Sequence, residues 1–268
     1  SIGIIVISKS GETAETLIIF SILMNLYKKI INFKKDCLVI TEKKESILLN
    51  IAKQNNIKYI EHENNIGGRY SCFSLAGLFP LAARGLNERK IKNLSDVVYL
   101  ENLIENKYNN LESLTTLVGL LKNKIYKGHV VLAYHESMKS LVLWYRQLWA
   151  ESLGKHHLGL HLMTAIGPVD QHSQLQMWLD GPNNLIFTII IPKKRKLEFV
   201  ITDIYDNLPK NFKNKKIGDI LNTMAEATAQ ELRKAGRKVR VIYLDDHSLD
   251  STVKLMASLM LEVSILCK

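Results

Sequence analysis

Residues 2–13 read Ile-Gly-Ile-Ile-Val-Ile-Ser-Lys-Ser-Gly-Glu-Thr, an aliphatic run followed by a short polar turn. The run Ile2–Ile7 predicts a buried strand, and apolar residues every three or four positions predict a helix over Thr13–Ile31. A buried strand that leads through a short turn into a helix is the repeating unit of α/β proteins with parallel sheets. The opening of the chain therefore predicts an α/β fold.

The same alternation continues along the chain. Further strands are predicted at 37–40, 57–60, 129–134, 185–191 and 239–244. Further helices are predicted at 46–54, 75–83, 139–153, 217–235 and from 249 onward, with a mixed helical region at about 95–124. We expect two α/β units with mainly parallel sheets flanked by helices, in residues 1–110 and 111–268. Because the chain begins inside a predicted strand and ends inside a predicted helix, we expect the first unit to be incomplete and the second to lack its C-terminal segment.

Composition narrows the class of protein. Hydrophobic residues make up 47% and charged residues 23%, as in ordinary globular proteins. No apolar run reaches the roughly 18 residues of a membrane-spanning helix, so no membrane partner is expected. The three cysteines are odd in number and far apart, which argues against a disulfide framework and for a cytoplasmic location.

The net charge of +10 suits a nucleic-acid partner, but the lysines are spread along the whole chain. Local basic clusters occur at Lys193-Lys194-Arg195-Lys196 and between Lys210 and Lys216, in polar stretches typical of solvated loops. We therefore expect no nucleic-acid partner.

The turn Ser8-Lys9-Ser10-Gly11-Glu12-Thr13 is a candidate anion site. At a strand–helix junction, free backbone N–H groups and the positive end of the helix dipole favour an anion. Three hydroxyl groups add neutral donors, and Gly11 allows close approach of the backbone. The alternative is a simple helix cap, in which Ser10 or Thr13 forms a capping box with a later glutamate.

A second candidate is Gly67-Gly68-Arg69-Tyr70-Ser71. The two glycines permit a tight backbone excursion, after which Arg69 presents a fork of permanently charged donors. Such an arginine can orient a substrate or stabilise developing negative charge. The alternative is a loop arginine in a surface salt bridge.

A third candidate is the pair Gln147 and Glu151, four residues apart and so on one face of a helix that Gly154 terminates. A carboxylate next to Trp144 and Trp149 is suited to general-base chemistry near neutral pH. The alternative is a solvated glutamate at a helix end.

The fourth candidate is His172, which follows a Gly167-Pro168 turn and can move a proton near neutral pH. His156, His157 and His161 lie nearby in sequence. Adjacent histidines point in different directions, however, and no carboxylate stands at ligand spacing, so we expect no metal site.

Together these segments resemble the phosphoglucose isomerase (glucose-6-phosphate isomerase) family. Residues 64–77, Asn-Asn-Ile-Gly-Gly-Arg-Tyr-Ser-Cys-Phe-Ser-Leu-Ala-Gly, match its arginine signature along their length. The Ser-Lys-Ser turn, the Gln147–Lys155 segment and Gln171-His172-Ser173 follow in the family's order. The resemblance implies two sugar-isomerase (SIS) type units, a hexose 6-phosphate substrate, no cofactor and a homodimer. The implied reaction interconverts glucose 6-phosphate and fructose 6-phosphate through a cis-enediol, in glycolysis and gluconeogenesis.

The resemblance also implies a role for each candidate residue. The substrate-binding residues would be Ser8, Lys9, Ser10, Thr13, Gly68 and Gln147, of which the first four would hold the phosphate. Glu151 would move the proton between C1 and C2, and Arg69 would stabilise the negatively charged intermediate. His172 would assist ring opening from the partner subunit, oriented by a carboxylate that Glu15 matches.

Two segments of the family have no counterpart in the sequence. One is a Gly-rich loop with a phosphate-contacting serine before the Ser-Lys-Ser turn. The other is a C-terminal Asp-Gln-x-Gly-Val-Glu-x-x-Lys-type segment, whose lysine takes part in ring opening and whose neighbours Lys268 lacks. We therefore expect isomerase activity that the missing segments impair. A non-catalytic sugar-phosphate-binding SIS protein and an inactive remnant are the alternatives.

Overall fold

The computed structural model describes residues 3–103, 111–195, 199–202 and 212–267 of the 268-residue chain. Its contacts divide the chain into two compact units, Ser1–Asn93 and Leu94–Lys268. The boundary predicted at residue 110 falls on the stretch 104–110, which lies outside the described residues.

The first unit contains one parallel sheet. Its strands β1 (Ile4–Ile7), β2 (Cys37–Thr41) and β3 (Lys58–Glu61) pair in the order β1-β2-β3. Its helices are α1 (Ala14–Tyr27), α2 (Phe33–Asp36), α3 (Ile47–Gln54) and α4 (Leu75–Ala83), with a 3₁₀ helix at Gly68–Phe73. Residues from α1 and α3, including Phe20 and Leu48, pack with Val6 and Val39 of the strands to form its buried core. The helices thus follow the strands in βα order, which places the turn after β1 at the carboxyl edge of the sheet.

Helix α5 (Glu88–Leu103) contains the division point between the units. The helices of the second unit that follow it are α6 (Leu111–Lys122), α7 (Lys139–Leu153), α8 (Val169–Asp180), α9 (Ile217–Lys234) and α10 (Leu249–Leu266). A short 3₁₀ helix, Glu136–Met138, runs directly into α7.

The second unit is built on a four-stranded parallel sheet. Its strands are β4 (Gly128–Ala133), β5 (His161–Ile166), β6 (Leu185–Lys194) and β7 (Lys238–Asp246), in the order β5-β4-β6-β7. All three strand pairs are parallel. Every residue of β4 is buried, as expected for an inner strand covered on both faces.

Two layers of helices cover this sheet. On one face, Trp178 of α8 and Ala225 and Ala229 of α9 pack with Val130 and Phe187 of the strands. On the other face, the side chain of His129 stacks edge-on against Trp149 of α7. The predicted α/β class with mainly parallel sheets is therefore confirmed.

Strand β5 and helix α8 are missing from the elements predicted from sequence. Strand β5 is an edge strand on which His161 and Met163 are exposed, so it lacks the continuous apolar run of an inner strand. Helix α8 begins in the polar stretch that predicted only a turn, and its anchor in the core is Trp178. Both elements escaped prediction because one face of each is polar and exposed.

Candidate active site

The Ser8–Thr13 turn is held by its own hydroxyl groups. Ser8 is buried, and its Oγ lies 2.9 Å from Thr13 Oγ1 and accepts from the backbone N–H of Gly11 at 3.2 Å. Ser10 Oγ accepts from the N–H of Glu12 at 3.2 Å, and the Ser10 side chain is exposed. Gly11 has a φ of +67°, and a Cβ there would collide with the side chain of Ser46. Glycine at this position is therefore required by the backbone and by the packing together.

Thr13 stands at the N-cap of α1, but its side chain accepts no hydrogen bond from the first helical turn. Its hydroxyl group pairs with Ser8 instead. The described turn thus does not form the capping box that was the alternative to an anion site. Glu15 is exposed in the first turn of α1, where its negative charge interacts favourably with the helix dipole.

Lys9 connects the turn to the segment before Arg69. Its Nζ forms a 3.2 Å ion pair with Glu42 Oε1 and donates to the backbone oxygen of Asn64 at 3.2 Å. Glu42 directly follows β2, and sequence reasoning missed it. The signal was available, because the carboxyl ends of neighbouring parallel strands meet at one edge of a sheet.

Arg69 lies on the 3₁₀ helix Gly68–Phe73 and is half-buried, with its guanidinium 5.4 Å from the centre of the Tyr70 ring. Gly67 has a φ of −63°, and neither Gly67 nor Gly68 has a positive φ. The backbone excursion expected at these glycines is thus a regular 3₁₀ helix. Gly77 is the glycine that the signature requires, because a Cβ there would collide with the backbone of Cys72.

In the second unit, Gln147 and Glu151 lie on one exposed face of α7, as their spacing predicts. Gln147 Nε2 donates to Glu151 Oε1 at 2.9 Å. Trp149, one of the two tryptophans predicted to lie next to this carboxylate, has a fully buried ring that donates through Nε1 to the backbone oxygen of Leu160, whereas Glu151 is exposed. Residues two apart on a helix point to different sides, which separates this ring from the carboxylate.

A cleft of about 670 Å³ opens beside Gln147. Its lining residues come from α7 and from the chain leading into β5, and they are Leu143, Arg146, Gln147, Ala150, Gly154 and Leu158–Leu162. Arg146 and His161 supply polar groups that sequence reasoning did not select. Arg146 could have been selected from the sequence, since it is adjacent to Gln147 on the same predicted helix.

His172 is exposed near the start of α8, and its backbone N–H donates to the oxygen of Pro168 at 3.2 Å. The start of this helix is fixed from beneath by Tyr134, whose hydroxyl donates to Gln171 Oε1 at 2.6 Å and pairs with Thr228 Oγ1 at 2.9 Å. Burial raises the pKa of Tyr134, and the phenol, which is protonated at neutral pH in any case, acts as the donor. Sequence reasoning missed Tyr134, which has the appearance of an ordinary core residue at a strand end.

Within each unit, some of the predicted residues are brought together. The Ser8–Thr13 turn and the arginine segment meet through Lys9 and Asn64, and Gln147 meets Glu151. His172 lies on a different helix from that pair. Among the described residues, no group of three or more His, Cys, Asp or Glu side chains is placed to hold a metal ion. None of the described helices is long and apolar enough to cross a bilayer.

Comparison with known proteins identifies relatives of this arrangement. The family model for phosphoglucose isomerase matches residues 2–168, which include both the Ser8–Thr13 turn and Glu151 and end before His172. A probable glucose-6-phosphate isomerase of Methanococcus maripaludis is 36% identical over 209 residues, which make up 76% of this chain and 47% of that protein.

Solved structures show the same architecture. A hypothetical protein from Thermus thermophilus is 28% identical with a TM-score of 0.88, covering 99% of this chain and 65% of that one. A glucose-6-phosphate isomerase from Chlamydia trachomatis, 17% identical, shares the fold with a TM-score of 0.80 over 99% of this chain and 55% of its own. The predicted SIS-type fold is confirmed. The chain spans about half to two thirds of the length of the curated relatives it matches.

Proposed function

The chain belongs to the phosphoglucose isomerase family, and we propose that it acts as an aldose–ketose isomerase interconverting glucose 6-phosphate and fructose 6-phosphate. The proposed chemistry moves one proton between C1 and C2 through a cis-enediol. Such a transfer needs a base, a binding site for the phosphate and a positive group near the enediol oxygens, and it needs no organic cofactor. The reaction belongs to glycolysis and gluconeogenesis.

The contact between Gln147 and Glu151 carries this proposal. The exposed Glu151 carboxylate accepts a 2.9 Å hydrogen bond from Gln147 near the end of α7, and Gln147 also lines a cleft whose other polar side chains are Arg146 and His161. A base held in this way keeps one orientation toward the carbon acid, which lowers the entropic cost of proton transfer. Glu151 is proposed as the base and Gln147 as the residue that positions the sugar.

The Ser8–Thr13 turn is proposed to bind the 6-phosphate. Exposed hydroxyl groups of Ser10 and Thr13, the uncapped first turn of α1 and the Lys9 ammonium form a donor set suited to a phosphate monoester. Ser8 supports this set from inside the turn through its bond to Thr13. Glu42 offsets part of the lysine charge, so the binding rests mainly on neutral donors and the helix dipole.

Arg69 is proposed to stabilise the enediolate, with Gly68 at the start of its helix allowing the substrate to approach the backbone. His172 is proposed to assist ring opening from the partner subunit of a homodimer, oriented by Glu15. The exposure of both side chains is compatible with a role at a subunit interface. None of the three cysteines forms a disulfide in the described part of the chain, which suits a cytoplasmic location.

Replacing the proposed base tests this function. Glu151→Gln keeps the hydrogen bond to Gln147 possible and removes the basic oxygen, so it should lower the rate of fructose 6-phosphate isomerisation roughly 100-fold or more. The rate is measured by following glucose 6-phosphate formation by NMR at high protein concentration. The matched control is Glu231→Gln, which changes an exposed glutamate on α9 and should leave the rate unchanged.

Equal rates for wild type and Glu151→Gln would contradict the assignment of the base. A chain that binds fructose 6-phosphate without converting it would favour the non-catalytic sugar-phosphate-binding alternative. The comparisons with known proteins do not favour that alternative, since curated relatives of the chain are named as known or probable glucose-6-phosphate isomerases.

A further inference from the structure

The basic cluster around Arg195 predicted a solvated loop, but the Arg195 side chain itself is held by hydrogen bonds to the fold. It directly follows β6 and is half-buried. One terminal nitrogen donates to the backbone oxygen of Tyr134 at 2.9 Å and to Asn222 Oδ1 at 3.1 Å. Its Nε is buried and has no hydrogen-bond partner among the described residues. The fold therefore holds this guanidinium in place without using all of its donors.

Two histidines stack beside it. The rings of His135, just after β4, and His247, just after β7, lie 4.1 Å apart with an angle of 23° between their planes. Two imidazoles in this arrangement repel each other when both are protonated, and a bound anion would reduce that repulsion.

The three side chains meet at a part of the fold where ligands commonly bind. From β4 the chain passes to β5 on one side and then to β6 on the other, so the order of the strands reverses between β4 and β6. In open α/β sheets, ligands bind at the carboxyl ends of the strands next to such a reversal. His135 follows β4 and Arg195 follows β6, on the two sides of that point.

The hydrogen bonds of the histidines leave one nitrogen of each for a ligand. His135 Nδ1 accepts from the backbone N–H of Ser137 at 3.2 Å, so a neutral ring carries its proton on Nε2. His247 Nδ1 faces the backbone oxygen of Lys194 at 3.4 Å, to which it can only donate. Protonation of His247 on Nε2 therefore creates a further donor.

Charges of both signs surround the two histidines. The pKa of His135 is lowered by burial and by the nearby charges of His247 and Arg195, against which Glu136 acts weakly. Asp246, next to His247, is bonded to Ser248 and Ser251, and these bonds, with a smaller contribution from the charge of His247, lower its pKa to about 2. Arg195 and the two imidazoles thus share this part of the fold with two carboxylates, Glu136 and Asp246.

We propose that His135, Arg195 and His247, which follow β4, β6 and β7, form a second oxyanion site that binds inorganic phosphate or the phosphate group of a small ester. The donors are charged or chargeable nitrogens, which suit a phosphate dianion. This site lies entirely within the second unit, and it differs from the hydroxyl-rich turn after β1.

Histidine NMR tests the proposal with a signal that reports this site alone. The ring C–H resonances of His135 and His247 are assigned from single substitutions and followed as inorganic phosphate is added, with chloride of equal ionic strength as the reference. Saturable shifts are expected with phosphate and absent with chloride. Arg195→Gln should raise the Kd read from His135 about tenfold or more, the loss expected for one charge-assisted hydrogen bond.

Further variants separate binding from misfolding and identify the ligand. His247→Asn should weaken the phosphate-dependent shift of His135, whereas the matched control His157→Asn, an exposed histidine with a φ of +60° that asparagine tolerates, should not. Fructose 6-phosphate is titrated in the same way as inorganic phosphate. The ligand with the lower Kd shows whether the site binds a phosphate ester or the free ion. Shifts that chloride reproduces, or a Kd unchanged in both Arg195→Gln and His247→Asn, would overturn the proposal. Glu151→Gln should leave these shifts unchanged, so failure of this proposal can be distinguished from failure of the proposed isomerase function.

Discussion

His129 shows how one buried residue beneath α7 makes stability depend on pH. Its ring packs 4.8 Å from the Trp149 ring, and its Nε2 lies 2.8 Å from Thr188 Oγ1. Its Nδ1 is buried without a partner in the part of the chain that the structure describes. Burial, with a further contribution from the positive charge of Arg240, lowers the pKa of His129 well below 6.5. The folded protein therefore keeps this ring neutral when an unfolded chain would protonate it.

This depressed pKa predicts loss of stability in mild acid. As the pH falls below about 6.5, the unfolded state takes up a proton that the folded state does not, so the free energy of unfolding decreases by up to about 1.4 kcal/mol per pH unit from this group. His129→Gln should reduce that slope. Urea unfolding of both proteins from about pH 5 to about pH 8 measures this slope. The difference in the free energy of unfolding at about pH 8, where His129 is neutral in both states, reports any packing defect separately from the titration. Identical slopes would show that His129 does not titrate on unfolding.

At the scale of elements, the strand–turn–helix unit after β1 depends on its contact with α3. The N–H of Leu48 donates to the oxygen of Gly11 at 3.0 Å, and Ser46, which caps α3, occupies the space where a Gly11 side chain would lie. The turn and the start of α3 are thus packed as one structure. The positive φ of Gly11 adds a backbone requirement that other residues meet at a cost.

Gly11→Ala should therefore be strongly destabilising, by about 2 kcal/mol or more, because backbone strain and a steric clash combine. The matched control is Gly85→Ala, where φ is +79° but a Cβ would meet open space. It should show the strain alone, at about 1 kcal/mol. Chemical denaturation of the two variants gives the comparison. Equal losses would mean that the packing against Ser46 contributes nothing.

Periodicity predicted well those elements that have one clearly apolar face or a continuous apolar run. Helices α4 and α7 have the predicted bounds, and β4 and β6 were found because they are buried on both sides. The edge strand β5 and the polar-faced α8 were not predicted, since their burial depends on neighbours that the local sequence does not reveal.

At the scale of the whole molecule, the family and the fold class could be predicted from four short motifs, because each combines residue types that serve one chemistry. The partners that orient those residues could not. Glu42 next to Lys9 and Tyr134 beneath Gln171 are brought in by long-range pairing of strands and helices. The cluster of His135, Arg195 and His247 was likewise hidden, as its members lie far apart in sequence and meet only at the sheet edge.

The central claim is that Glu151 removes a proton from a carbon of a bound hexose 6-phosphate. Incubation of fructose 6-phosphate with the chain in heavy water measures this directly, because an enediol intermediate exchanges its carbon-bound hydrogen with solvent. Deuterium should appear in recovered fructose 6-phosphate at C1 and in the glucose 6-phosphate formed at C2, and Glu151→Gln should abolish both signals. Saturable binding of fructose 6-phosphate without any incorporation of deuterium would contradict the account.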